Sequence, residues 1–226
     1  MTCEIIATGS TGNAVLLDGT VLVDCGVPYR QLEPFALRLQ LVLLTHGHSD
    51  HFRTSTVRRL ASERPMLRWA CCPWMVQRLV DAGVRKRQID VIAAGAAKRY
   101  SVRISRVQPV PVPHDVPNCG WRLDIGGERA FYATDCGSLD DISLPGLDLY
   151  LIEANHTTED IQQRAQEKLA RGEYAYEIRA AANHLSLEQA TEWICKNAGP
   201  QSRYIFLHQH HEQNQNQNQT EEEEIA

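Results

Sequence analysis

Short apolar runs alternate with turn-forming residues over the first 26 positions: CEIIA, TGSTGN, AVLLDG and TVLVDCG. Strands are predicted at residues 5–6, 15–17 and 21–23, with Gly9, Gly12 and Gly19 supplying tight connections. Residues 40–45 form a nearly continuous apolar run, the pattern of a strand buried on both faces. A polar cluster begins where that strand ends. Residues 53–61 predict a helix and MLRWA at 66–70 a short strand. Pro73 suits a first helical turn, and Met75, Leu79 and Val80 keep helical spacing before Gly83. Basic and apolar residues alternate at 102–110, predicting a strand with one wet face, and Pro109, Pro111 and Pro113 then extend the backbone and bring His114 out on a loop. Residues 119–125 and 129–133 flank Gly126-Gly127 as a hairpin, and 149–153 reads as another buried strand. Two helices follow, at 158–170 and 186–198, the second with Ser186 as N-cap and Gln189 three residues on. Residues 203–207 are the closing strand.

This order lacks the steady strand-helix alternation of a doubly wound sheet and fits two sheets with helices outside them. A chain of 226 residues, 43% hydrophobic, can build a sizeable core. Residues 1–211 are expected to form one folded unit, and the polar, acidic stretch 212–226 a disordered tail. With 23 basic against 28 acidic residues, and a formal net charge of -5, the chain is not one held to nucleic acid by bulk positive charge. Two basic intervals, from Arg53 to Arg68 and from Lys86 to Arg106, offer either a local phosphate track or an ordinary solvated face. No run approaches the ~20 apolar residues of a membrane span, and no signal segment opens the chain. The seven cysteines are scattered without a CxxC pair, which points to a reduced, cytoplasmic protein with neither a disulfide framework nor a thiolate zinc site.

The chemistry concentrates in Thr45-His46-Gly47-His48-Ser49-Asp50-His51, four potential ligands within six residues just after an apolar strand. On a regular strand His46, His48 and Asp50 would face one side and His51 the other, whereas a turn could gather all four. Imidazole and carboxylate without thiolate suit zinc, manganese or iron. Four ligands do not complete two shells, and three further candidates stand at other strand ends: His114, Asp135 and His208. Asp135 is the best bridge, because one carboxylate can offer an oxygen to each of two metals.

This pattern, THGHSDH with His114, Asp135 and His208, resembles the metallo-beta-lactamase superfamily, whose HxHxDH motif is complete at 46–51. The resemblance implies an α/β four-layer αββα sandwich and hydrolytic chemistry. It implies that His46, His48 and His114 hold the first metal, that Asp50, His51 and His208 hold the second with Asp135 bridging, and that Asp24 in LVDCG orients the metal loop. His210 lies only two residues beyond His208 and competes for the last ligand position. GSTGN at 9–13, LIEANH at 151–156 and NHLSLEQA at 183–190 resemble segments of the bacterial and phage exonuclease-like branch related to tRNA 3′-processing endonucleases. By that resemblance Glu153 orients His184, and His184 contacts phosphate or protonates the departing oxygen.

The expectation is a metal-dependent phosphodiesterase, exonuclease-like, in which two Zn²⁺ or Mn²⁺ ions and an activated hydroxide, with Asp50, Glu153 and His184 in catalytic roles, cleave DNA or RNA. Two alternatives stand beside it: hydrolysis of a small phosphodiester, thioester or lactone at the same centre, and a non-catalytic binding protein that retains the scaffold. GSTGN lacks the GK[ST] of a nucleotide-triphosphate loop and reads as a tight turn that lets backbone approach the metal loop.

Overall fold

The computed structural model describes residues 1–209, so the expected tail at 212–226 and His210 lie outside the described residues. The chain runs β1 (Cys3–Ala7), β2 (Ala14–Leu17), β3 (Val21–Val23), α1 (Tyr29–Ala36), β4 (Leu41–Leu44), α2 (Thr54–Glu63), β5 (Arg68–Cys71), α3 (Val76–Asp81) and β6 (Ile89–Val91). It continues through β7 (Ile104–Val112), β8 (Asn118–Ile125), β9 (Glu128–Ala133), β10 (Leu149–Glu153), α4 (Thr158–Ala170), α5 (Tyr176–Asn183), α6 (Leu187–Asn197) and β11 (Arg203–Leu207). Two mixed sheets result, in the orders β1-β2-β3-β4-β5-β6 and β11-β10-β9-β8-β7.

Alternation along each strand builds the layers. Leu41 and Leu43 of β4 join Val15, Leu17, Trp121, Leu123, Tyr132 and Leu149 in the core between the sheets. Their neighbours Val42 and Leu44 pack outward with Leu32, Val57, Leu60 and Leu79 of the first helical layer. On the other side, Phe131, Ala133, Tyr150 and Ile152 meet Ala190, Trp193 and Ile194 of α6. Both faces of β4 are therefore covered, which is why its sequence is apolar throughout. The architecture is the four-layer αββα sandwich.

Pairing direction decides where the strands end. In the first sheet β1-β2 and β2-β3 are antiparallel while β3-β4 is parallel, so β1, β3 and β4 run the same way. In the second sheet β7, β9, β10 and β11 share one direction, because two antiparallel steps separate β7 from β9. The residues that follow all of these strands collect along one rim of each sheet.

The structure differs from the sequence reading in three places. It adds α1 and α5, each eight residues long, shorter than the ~11–18-residue window over which helical periodicity is read; α1 also carries Pro34 inside it, which reads as a helix breaker. It adds β6, a three-residue edge strand. It also carries β7 through Pro109 and Pro111 to Val112, paired with Trp121 and Cys119; these prolines are tolerated because β7 is the outermost strand of its sheet. Elsewhere the expected elements appear, including α6 with its reciprocal Ser186–Gln189 cap.

The loop after β3 and the loop after β4 touch at Gly26. A Cβ there would collide with the backbone carbonyl of Asp50, a contact between two main chains that no rotamer can relieve. Gly26→Ala is expected to destabilise the fold by about 2–3 kcal/mol, seen as a melting temperature lowered by roughly 4–12 °C for a domain of this size. An unchanged melt would mean that the two loops can separate at little cost.

Candidate metal centre

Three of the strands that reach the rim end on a residue with left-handed backbone. Asp24 follows β3, Asp135 lies just past β9 and His208 follows β11, with φ of 61°, 54° and 56°. This region costs an L-residue about 1–2 kcal/mol, and aspartate accepts it better than most. The strain falls on two of the expected ligands, Asp135 and His208, and on Asp24, the expected orienting carboxylate.

The structure brings those residues into three overlapping sets. His46, His48, His114 and Asp135 offer ligand atoms within 4.8 Å of one another; so do Asp50, His51 and Asp135; so do Asp135, Glu153, His184 and His208. Asp135 belongs to all three. Its Oδ2 lies 3.2 Å from His46 Nε2 and 2.7 Å from His51 Nε2, and its Oδ1 lies 2.7 Å from His208 Nδ1 and 3.4 Å from His184 Nδ1. His208 thus meets the Glu153–His184 side of Asp135, while His51, with Asp50 Oδ2 at 3.5 Å from its Nε2, meets the other oxygen.

Proton counting shows which ring nitrogens are offered. The Thr45 hydroxyl donates to Asp24 and so accepts from His46 Nδ1 at 3.0 Å, leaving His46 Nε2 with its lone pair. His114 Nδ1 donates to the Asn183 carbonyl at 3.2 Å, which leaves its Nε2. These atoms lie 3.1 and 3.4 Å from His48 Nδ1. Burial lowers the pKa of both His46 and His114, so they are neutral imidazoles. His46 Nε2 also faces Asp135 Oδ2 at 3.2 Å and His114 Nε2 faces Asp115 Oδ1 at 3.1 Å, and a lone pair set against a carboxylate oxygen is repelled unless a cation stands between them. The donor set therefore fits a metal, and its chemistry is that of a nitrogen and oxygen site.

The other half of the centre carries the opposite charge logic. Burial opposes a proton on His51, yet Asp135 and Asp24 hold its pKa well above the ordinary value. Burial likewise opposes charge on His184 and His208, but Asp135 and Glu153 raise them to about 10 and about 9. Against the penalty of its own burial, Asp135 is held well below the carboxylate range by His51 and the surrounding imidazoles. Protons on these rings supply the positive charge that buried carboxylates demand, and a divalent cation can supply the same charge instead.

Supporting groups fix the ligands. Asp24, fully buried, accepts from the Thr45 backbone N–H at 2.9 Å and from His51 Nδ1 at 2.7 Å, the partner expected of a ligating imidazole. Asn13 closes the GSTGN turn by accepting from the Gly9 N–H at 2.9 Å, and its Nδ2 lies 2.8 Å from His51 Nε2. Its backbone N–H donates to the Asp50 carbonyl at 2.6 Å, so the turn does bring main chain against the metal loop. Glu153 Oε2 accepts from the Cys136 N–H at 3.0 Å and its Oε1 from His184 Nδ1 at 2.6 Å. The Asn155 amide donates to the His208 carbonyl at 3.2 Å.

Sequence reasoning gave Thr45 and Asn13 no role, although both lie inside motifs it singled out. It missed Asp115, whose Oδ1 is 3.1 Å from His114 Nε2; adjacency to His114 was the available signal. The basic intervals are largely spent elsewhere: Arg68 and Lys98 pair with Asp90, Arg103 with Asp18, and Arg64 donates to the carbonyls of Ala36 and Leu39. All seven cysteines are free, with Cys25 and Cys136 buried beside the centre.

Fold and site together define a metal-dependent hydrolase with ligand sets suited to two neighbouring ions. The chain belongs to the metallo-beta-lactamase superfamily: residues 19–209 match the family described as the beta-lactamase superfamily domain. Human tRNase Z, short form (ELAC1), is 15% identical, with 92% of this chain and 93% of that one covered and a TM-score of 0.69. Zn²⁺-bound PqqB from Methylobacterium extorquens is 15% identical over 92% and 89%, with a TM-score of 0.68. A diphosphatase of the PhnP family is 19% identical over 92% and 86%, with a TM-score of 0.62. At these identities the likeness is one of fold. No curated protein matches the chain in sequence.

The raised imidazoles give the metal-free protein a defined pH dependence. His184 and His208 exceed the ordinary histidine value of 6.5 in the folded state, so their stabilising contribution is complete below that value and declines as pH rises toward about 9 and about 10. Denaturant melts of chelator-treated protein are expected to weaken progressively across this window. A stability that is flat or rising there would contradict the charge assignment.

Proposed function

We propose that this protein is a dinuclear metal-dependent phosphodiesterase, an exonuclease-like nuclease acting on DNA or RNA. The reading assigns His46, His48 and His114 to one ion, Asp50, His51 and His208 to the second, and Asp135 to both, with Asp24 as the orienting carboxylate. Zn²⁺ or Mn²⁺ suits this set. The working unit is residues 1–211, and seven free cysteines favour a cytoplasmic location. Among the described residues no helix is long and apolar enough to cross a membrane.

The observation that carries the reading is the Glu153–His184 pair, 2.6 Å apart and next to the bridging carboxylate. Glu153 is fully buried and locked by the Cys136 and Leu185 backbone N–H groups, so it cannot turn toward substrate. Its task is to hold His184 by Nδ1. That leaves His184 Nε2 at a cleft of about 280 Å³ lined also by His48, Asp50, His114, Asp135 and His208. The chemistry supplied by bound divalent ions is Lewis acidity toward phosphate oxygens and activation of water. The protein's own residues position the phosphate, and His184, held at Nδ1 by Glu153, gives its proton to the departing ester oxygen. Human tRNase Z, one of the similar folds, supports a nucleic-acid substrate.

Elemental analysis is expected to find about two metals per chain, with hydrolysis of end-labelled DNA or RNA and of bis(p-nitrophenyl) phosphate lost in His48→Ala and Asp135→Ala. His184→Ala should keep its metals while kcat falls by about 10²–10⁴. Metal binding with no phosphodiester cleaved would overturn the reading and direct attention to thioesters and lactones.

A further inference from the structure

The walls of the cleft are acidic: Asp50, Asp115 and Asp135 line it, and Arg179 is the one lysine or arginine among the described residues that does so. Arg179 stands on α5, its side chain 67% exposed, with Nη2 2.5 Å from Asp115 Oδ2. Asp115 is anchored in turn at the centre, its Oδ1 3.1 Å from His114 Nε2 and 3.5 Å from His48 Nε2. The carboxylate thereby holds a guanidinium at the mouth, one side chain away from the ligand histidines. Three positions earlier, and so on the same helical face, Tyr176 also lines the cleft and is 52% exposed. The Lys168 ammonium lies 3.9 Å from its ring centroid while pairing with Glu177 at 2.7 Å, which fixes the ring against α4. Glu177 is the buried side chain of α5. Tyr176 and Arg179 contribute little to the core and face solvent beside the site.

A guanidinium and an open aromatic ring, side by side, are the two groups that bind an unpaired strand: one takes phosphate and the other stacks a base. The cleft itself, at about 280 Å³, is smaller than the ~300–1,000 Å³ of pockets that enclose a drug-sized ligand. It receives the scissile group and leaves the adjoining nucleotide on the rim, where α5 stands. We infer that α5 is the strand-reading element: Arg179 binds the phosphate next to the scissile one and Tyr176 stacks the neighbouring base. This makes single-stranded nucleic acid the substrate class, because bases in a duplex stack on one another and offer Tyr176 no free face. The inference rests on the phosphodiesterase reading.

The test uses the full-length, metal-loaded protein with a fluorescein-labelled single-stranded oligonucleotide, its duplex, and bis(p-nitrophenyl) phosphate. Binding is read by anisotropy and cleavage by kinetics. Tyr176→Ala is expected to weaken single-strand binding by about five- to a hundredfold, raising KM more than it lowers kcat, with binding restored in Tyr176→Phe. Arg179→Ala should weaken it comparably and flatten its salt dependence, with Arg179→Lys intermediate. For both alanine variants the loss on the oligonucleotide should exceed the loss on bis(p-nitrophenyl) phosphate at least fivefold. Variants that bind the strand as the parent does, equal losses on both substrates, or a parent that prefers duplex would each overturn the inference. A parent that binds the strand through these side chains yet hydrolyses nothing would uphold the recognition and overturn the phosphodiesterase reading alone.

Discussion

One buried carboxylate organises the molecule. Asp135 gathers His46 and His51 on one oxygen and His184 and His208 on the other, drawing groups from both sheets and from the segment before α6. An anion this deep is tolerated only where charge is supplied close by. The imidazoles supply it as protons, and a pair of divalent ions can supply it more strongly. Whatever holds Asp135 in place therefore holds the centre, and whatever moves it separates the two halves of the site.

The fold meets that demand through strand direction. Every strand that delivers a ligand runs the same way within its sheet, so the residues following them meet at one rim. Placing the ligands just past the strands lets the sheets remain regular while the loops carry the chemistry. The cost is local backbone strain at Asp24, Asp135 and His208. Hydrogen bonds around the same residues offset it, most clearly the Asp24 carboxylate shared by Thr45 and His51.

The two sheets play unequal parts. The first delivers the compact run from His46 to His51, braced by the Asn13 turn and the glycine contact at Gly26. The second delivers dispersed residues, His114, Asp135, Glu153 and His208, each from a different strand end. A compact run can be read from spacing alone, whereas dispersed residues become a site only when the sheet is assembled. Asp135 is legible as a candidate because it stands at a strand end, and as a bridge because one carboxylate can offer an oxygen to each of two metals. Its shared use by four imidazoles is a property of three dimensions.

Period-2 patterning, turn residues and the HxHxDH spacing determine most of the strands, the long helices, the layered architecture and the cluster of candidate ligands at 46–51, because these depend on local chemistry and on which faces must be buried. Short pieces such as α1 and α5 escape such reading: each is only eight residues long, and tertiary contacts stabilise what propensity leaves undecided. Only the assembled structure sets His208 beside Glu153 and Asp115 between His114 and Arg179. It also pairs Arg68 and Arg103 of the two intervals with carboxylates distant in sequence. Such pairings join positions up to 85 residues apart, as with Arg103 and Asp18, and no local pattern records a contact that long-range packing alone creates.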